Sequence, residues 1–172
     1  MNYADIKTSD LVNGEGTRIS LWVTGCPFRC EGCHNSKIWE PTTGKPFTEE
    51  TLDYLINLFK NAKIEKELSI LGGEPLANYN YKEVLKVCKR YKKEFPNRTI
   101  WLWTGFNYED VKDLEIMKYI DVLVDGQFYK SLKSDDLMWK GSANQQVIKL
   151  KGGIRQWNLK QYQNKTENMK ER

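Results

Sequence analysis

Trp22-Val23-Thr24-Gly25-Cys26-Pro27-Phe28-Arg29-Cys30-Glu31-Gly32-Cys33-His34-Asn35 is the stretch on which the reading of this chain turns. A β-like run, residues 18–24, feeds directly into it. Three thiols then follow at C-x3-C-x2-C spacing. Positions i, i+4 and i+7 can share one helix face, but Gly25, Pro27 and Gly32 argue against a regular helix. A loop is left, and a loop can fold three thiolates around a compact object. The fourth cysteine, Cys88, stands alone within a helical apolar stripe and reads as a small buried hydrophobe. In a reducing compartment, a tight cluster and one distant cysteine point to metal or redox chemistry, not to a disulfide framework.

Outward from this loop, short β-like runs alternate with amphipathic helical runs. Thr48 is placed to cap a first helix, with Glu49 and Glu50 at its positive end. Phe47 and Leu52 have the spacing of a hydrophobic staple. Leu52, Leu55, Ile56 and Phe59 then give one apolar face. A strand at 68–71 ends in Gly72-Gly73-Glu74-Pro75. A second helix carries Tyr81, Val84, Leu85, Cys88 and Phe95 and stops at Pro96-Asn97. Strands are expected again at 99–104, closed by Gly105, at 120–124, closed by Asp125-Gly126, and at 146–150. A third helix is expected over 108–119. The polar end, 158–172, reads as a mobile tail after a single domain over 1–157.

Strands alternating with helices suggest βαβ units and a parallel sheet with right-handed crossovers. The expected class is α/β: an incomplete, open (βα) barrel of four to six mostly parallel strands, since a full barrel typically takes about 250 residues. Loops that follow parallel strands gather at one edge, where ligands bind. The Gly25, Gly72-Gly73, Gly105 and Gly126 loops are therefore expected to converge.

Composition narrows the function classes. The chain has 172 residues, 40% hydrophobic and 29% charged, with six Trp, nine Tyr and six Phe. That supports a packed core and excludes wholesale disorder. No apolar run approaches the roughly 18 residues of a membrane span, and the first residues lack a signal-peptide pattern. A cytoplasmic protein with no membrane partner is expected. The net charge of +4 is spread along the chain. The basic run 89–93 reads as a solvated helix face, so no direct nucleic-acid partner is expected.

Three readings of the cysteine loop remain open on the residues alone. Zinc needs four closed ligands; His34 adjoins Cys33, and a tetrahedral C-x3-C-x2-C-H would be strained. Redox thiols are a second reading. A cubane iron–sulfur cluster on Cys26, Cys30 and Cys33 is the third, and it leaves one iron open to substrate.

The cysteine spacing after a first strand, with Gly72-Gly73-Glu74-Pro75 after the second, resembles the signature of the radical S-adenosylmethionine superfamily. Further segments resemble the branch that activates anaerobic ribonucleoside-triphosphate reductase. These are Val12-Asn13-Gly14-Glu15-Gly16, Cys30-Glu31-Gly32-Cys33-His34-Asn35 with Trp39, Trp101-Leu102-Trp103-Thr104-Gly105, residues 121–126 and Gly141-Ser142-Ala143-Asn144-Gln145. The superfamily often has an aromatic residue before the third cysteine, where this chain has Gly32, as its branch tolerates.

The resemblance implies an oxidoreductase with one 4Fe-4S cluster held by Cys26, Cys30 and Cys33. It implies reductive cleavage of S-adenosyl-L-methionine to a 5′-deoxyadenosyl radical, which generates a stored glycyl radical on the partner reductase. A flavodoxin-type electron donor is implied as well. Gly72, Gly73 and Glu74 are assigned to the methionine amino group, with the Glu74 carboxylate taking the ammonium. Gly32 and His34, flanking Cys33, are assigned to the adenine through backbone groups; no residue beyond these ligands is expected to be catalytic. The alternatives are activation of another glycyl radical enzyme, and a zinc-stabilised binding module without catalysis.

Overall fold

The computed structural model describes residues 1–150. In chain order these form β1 (Asn2–Asp10), β2 (Arg18–Val23), β3 (Lys45–Pro46), α1 (Glu49–Lys60), β4 (Glu67–Gly72), α2 (Asn78–Glu94), β5 (Ile100–Trp103), α3 (Tyr108–Val111), β6 (Val122–Asp125) and β7 (Gln146–Lys149). The expected tail at 158–172, and the far end of the expected domain, lie outside the described residues.

The strands build one sheet in the order β3-β1-β2-β4-β5-β6-β7. β2, β4, β5 and β6 run parallel. β1 pairs antiparallel with β2 and β3, and β7 pairs antiparallel with β6. The sheet is not closed: β3 and β7 are its two edges. Its parallel centre follows from helices returning the chain between successive strands.

Alternation along each strand separates two faces. Ile19, Leu21 and Val23 of β2, Leu68 and Ile70 of β4, Ile100 and Leu102 of β5 and Leu123 of β6 share one core with the helices. α1 contributes Leu52, Leu55, Ile56 and Phe59; α2 contributes Val84, Val87, Cys88 and Tyr91. The predicted cap holds: the Thr48 side chain accepts from Thr51 N, in a capping box. Phe47 and Leu52, the staple pair, are both buried. On the other face Trp101, Val122 and Val124 pack with Trp103, Trp139 and Val147.

A guanidinium is embedded at the start of that second face. Arg18 is fully buried and donates to Ser69 Oγ at 2.6 Å, to Leu68 O at 2.6 Å, to Glu15 O at 2.9 Å and to Glu67 Oε2 at 2.9 Å. Burial alone lowers its proton affinity, and the facing Glu67 works against that. Ser69 Oγ in turn donates to Asn13 O, and Asn13 Nδ2 donates to Asp10. The Val12–Gly16 segment is thereby tied to the strands it crosses, so Asn13 serves as an anchor here.

Three expectations are corrected. The sheet has seven strands, not four to six. β1 was not expected because its residues show no apolar alternation; most of it is exposed, and pairing to β2 makes it a strand. The helix expected over 108–119 is cut to the single turn α3, followed by a 3-10 turn at Glu115–Lys118, with Leu114 extended between them. The physical reason is spacing: Val111, Ile116 and Ile120 are the buried apolar positions, and intervals of five and four do not make a continuous helical stripe.

Candidate iron–sulfur and ligand site

The cysteine loop leaves β2 at Val23 and is held by backbone at both ends. Gly25 N donates to Ile38 O and Cys26 N to Trp39 O, both at 2.8 Å. Thr24, fully buried, donates its hydroxyl to Thr43 O at 2.9 Å. Cys33 N closes a turn onto Cys30 O at 3.1 Å. Between these clamps Cys26, Cys30 and Cys33 are free thiols, each half-buried. Cys88 is instead wholly buried in the core, and that burial pushes its thiol far up. Cys88 lies in the core, as its helical stripe suggested, whereas the three loop cysteines stay half-exposed.

Burial also pushes the Cys26 and Cys30 thiols up, with backbone N–H groups of Phe28 and Arg29, and of Phe128, opposing it. Asn35 N donates to Cys33 Sγ at 3.3 Å. Amides aimed at sulfur favour thiolate, and iron displaces the thiol proton on binding. Among the described residues no three His, Cys, Asp or Glu side chains converge on a single-ion site. Three thiols on one loop, with backbone amides directed at their sulfurs, are a donor set of the kind that holds iron–sulfur clusters. The donor set therefore fits an iron–sulfur cluster held by three thiolates.

The glycine loop is zipped onto the cysteine loop. Gly73 N donates to Val23 O at 2.8 Å and Glu74 N to Gly25 O at 2.7 Å. Asn35 Nδ2, from the far end of the cysteine loop, donates to Gly72 O at 3.0 Å. Two glycines are required by this approach. Gly72 has φ +111°, and a Cβ on Gly73 would lie 2.4 Å from Gly25 O. The loops after β2 and β4 meet backbone to backbone, with no room for side chains between them.

Glu74 occupies a place that spacing did not reveal. Its side chain is 1% exposed. Oε1 accepts from Leu76 N at 2.9 Å and from Thr104 Oγ1 at 2.8 Å; Oε2 accepts from Gly105 N at 2.7 Å. Burial raises its carboxyl to about 7, against those three bonds. The carboxylate expected to take an ammonium thus points inward, toward the loop after β5. Asn80, equally buried in the first turn of α2, donates through Nδ2 to Thr24 O at 2.8 Å and to Glu74 O at 3.0 Å. Nothing in the sequence marks Asn80, because Asn-Tyr-Asn at a helix start reads as ordinary capping.

Gly32, with φ +71°, and His34 flank Cys33; both are exposed. Lys130 crosses Gly32 and pairs with Glu31 at 2.9 Å. Thr104 binds Glu74. Asp125 is buried and accepts from Tyr108 N and Gln146 N, so it braces the loop that follows β6. Gln145 does the same for its own segment: it donates to Gly126 O and accepts from Gly141 N and Ser142 N. All four strand-end loops do gather at one edge, as expected. A cavity of about 500 Å³ lies at the opposite edge, where the parallel strands begin, lined by Glu15, Glu67, Thr99, Trp101, Asp121 and others. The thiols and the glycine loop do not line that cavity.

Residues 12–148 match the family model of the 4Fe-4S single cluster domain. The chain is also similar to anaerobic ribonucleoside-triphosphate reductase-activating proteins. The one from Enterobacteria phage T4 is 41% identical over 154 residues, spanning 90% of this chain and 97% of the relative. The one from Escherichia coli K12 is 39% identical over 154 residues, spanning 88% of this chain and 100% of the relative. The one from Vibrio cholerae is 41% identical over 150 residues, spanning 86% and 97%.

Proposed function

The chain belongs to the family of anaerobic ribonucleoside-triphosphate reductase-activating proteins and carries a 4Fe-4S single cluster domain; from that premise we propose that it cleaves S-adenosyl-L-methionine reductively and installs a glycyl radical on such a reductase. The observation that carries this reading is the backbone junction of the two loops: three free thiols on the loop after β2, joined by Gly73 N, Glu74 N and Asn35 Nδ2 to the glycine loop after β4. A cluster bound there would supply the single electron for reductive cleavage of the sulfonium to methionine and a 5′-deoxyadenosyl radical.

The chain's own residues do the holding. Cys26, Cys30 and Cys33 would hold the cluster through their thiolates, which would leave one iron without a protein ligand. Gly72, Gly73 and Glu74 form the loop assigned to the methionine amino group, close enough to the cysteine loop to serve a ligand bound at the open iron. Gly32 and His34, exposed beside Cys33, offer backbone groups to the adenine. No general base is needed for hydrogen-atom removal, so His34 is given none. The open sheet, read as part of an incomplete barrel, leaves a mouth wide enough for a glycine-bearing loop of the reductase, whose docking then keeps water from the radical. The electron donor is taken to be of the flavodoxin type.

The test is anaerobic. The reduced protein, S-adenosylmethionine and the purified reductase are mixed and frozen, and the glycyl radical is read by EPR. A doublet on the reductase, absent without S-adenosylmethionine, supports the reading. Cleavage of S-adenosylmethionine with no radical on the reductase would assign the chain to another partner.

A further inference from the structure

Three residues outside the cysteine triad, Glu74, Asn80 and Thr104, form one buried knot. Glu74 and Asn80 are each 1% exposed, and Thr104 is 4% exposed. The Glu74 carboxylate gathers Leu76 N, Thr104 Oγ1 and Gly105 N. Its backbone N–H holds Gly25 O, and its carbonyl receives the Asn80 amide, which also holds Thr24 O. Thr104 Oγ1 further accepts from Phe106 N at 3.2 Å. Through these contacts a single residue reaches the loops after β2, β4 and β5.

A carboxylate this buried, with three protein donors on it, has no exposed face for an ammonium group. Removing one donor or the acceptor leaves the others unsatisfied in a dry site, which costs more than the bond itself. The knot is also where the cysteine loop and the glycine loop get their fixed separation. We infer that Glu74, with Thr104 and Asn80, is a positioning residue: its carboxylate clasps three strand-end loops from inside and acts on the ligand only through where it sets the glycine loop. This rests on the reading of the site given above, but its geometry concerns this chain's own groups.

The experiment combines backbone amide exchange with ligand titration on the full-length protein, prepared without oxygen. The variants are Glu74→Gln, Thr104→Val, Thr104→Ser and Asn80→Ala. Exchange at Gly105 and Leu76 is expected to rise about tenfold or more in Glu74→Gln and Thr104→Val, the loss of a charge-assisted bond. Thr104→Ser, which keeps the hydroxyl, restores protection. S-adenosylmethionine affinity is expected to fall about 10- to 100-fold in Glu74→Gln, Thr104→Val and Asn80→Ala alike, the usual effect of losing a supporting contact, and to recover in Thr104→Ser. Iron content stays near that of the wild type.

The inference is overturned if Glu74→Gln loses affinity while Gly105 and Leu76 keep their protection and Asn80→Ala binds normally; the carboxylate is then a direct ligand contact. Should Glu74→Gln not fold, the Thr104→Val and Thr104→Ser pair decides alone. If the wild type binds neither iron nor S-adenosylmethionine, the functional reading fails, and the exchange data still report on the clasp.

Discussion

The two ends of the parallel strands were built from the same sheet and behave as opposites. Where the strands begin, Arg18 is sealed under Ser69, Leu68 O, Glu15 O and Glu67, with the Trp101 ring 5.4 Å from its guanidinium carbon. Charge there is matched and spent on stability. Where the strands end, three thiols stand half-buried with no side chain bonded to them among the described residues, and the buried Glu74 is raised to about 7. The first end fixes the register of the sheet; the second keeps donors available for something the chain does not itself contain. The cavity lined by Glu15, Glu67 and Trp101 lies at the first end; the three thiols and the glycine loop lie at the second.

The largest effect that tests this contrast is at the thiols. Cys30→Ala is expected to abolish cluster assembly and S-adenosylmethionine cleavage while the apo-protein melts like the wild type, because Cys30 is half-exposed and packs in no core. Iron analysis and 5′-deoxyadenosine formation measure it. A fully active variant would break the comparison.

Arg18→Ala should do the reverse. Removing one partner of a buried ion pair costs about 3 to 5 kcal/mol, here reduced because Glu67 is partly exposed. A lowered denaturant midpoint, with the remaining folded fraction still assembling its cluster, is the expected result.

Acidity sharpens the contrast further. Glu74 holds its proton up to about 7 in the folded chain against an ordinary value of 4.5. Between those pH values the folded state binds more protons than the unfolded one. Stability of the apo-protein therefore falls as pH rises from about 4.5 to about 7 and levels off above, by at most about 3 kcal/mol. The slope is expected to be missing in Glu74→Gln, in denaturation curves taken across that range. Smallest is Thr48→Ala, which loses the α1 cap and about 1 kcal/mol with no change in cluster content.

Much of this was legible from residues alone, for stated reasons. The cap, staple and apolar stripe of α1 are local signals, and they were found where the periodicity put them. The convergence of Gly25, Gly72, Gly105 and Gly126 follows from parallel topology. β1 was not legible, since Tyr3, Ala4, Asp5, Ile6 and Lys7 show no alternation and become a strand only by pairing with β2. Nor was the inward turn of Glu74: a carboxylate in a glycine loop looks ligand-facing until the donors of Leu76, Thr104 and Gly105 are placed around it. Asn80 and Asn35 act across 56 and 37 positions, a distance over which sequence pattern carries no signal.

The most direct measurement is iron and acid-labile sulfide per chain in the oxygen-free protein, followed by EPR of the reduced form before and after S-adenosylmethionine is added. The account predicts about four of each, as in the 4Fe-4S domain it matches, retained in Cys88→Ala, lost in Cys30→Ala, and a spectrum that changes when S-adenosylmethionine binds. A colourless, zinc-bearing protein whose properties ignore S-adenosylmethionine would contradict it.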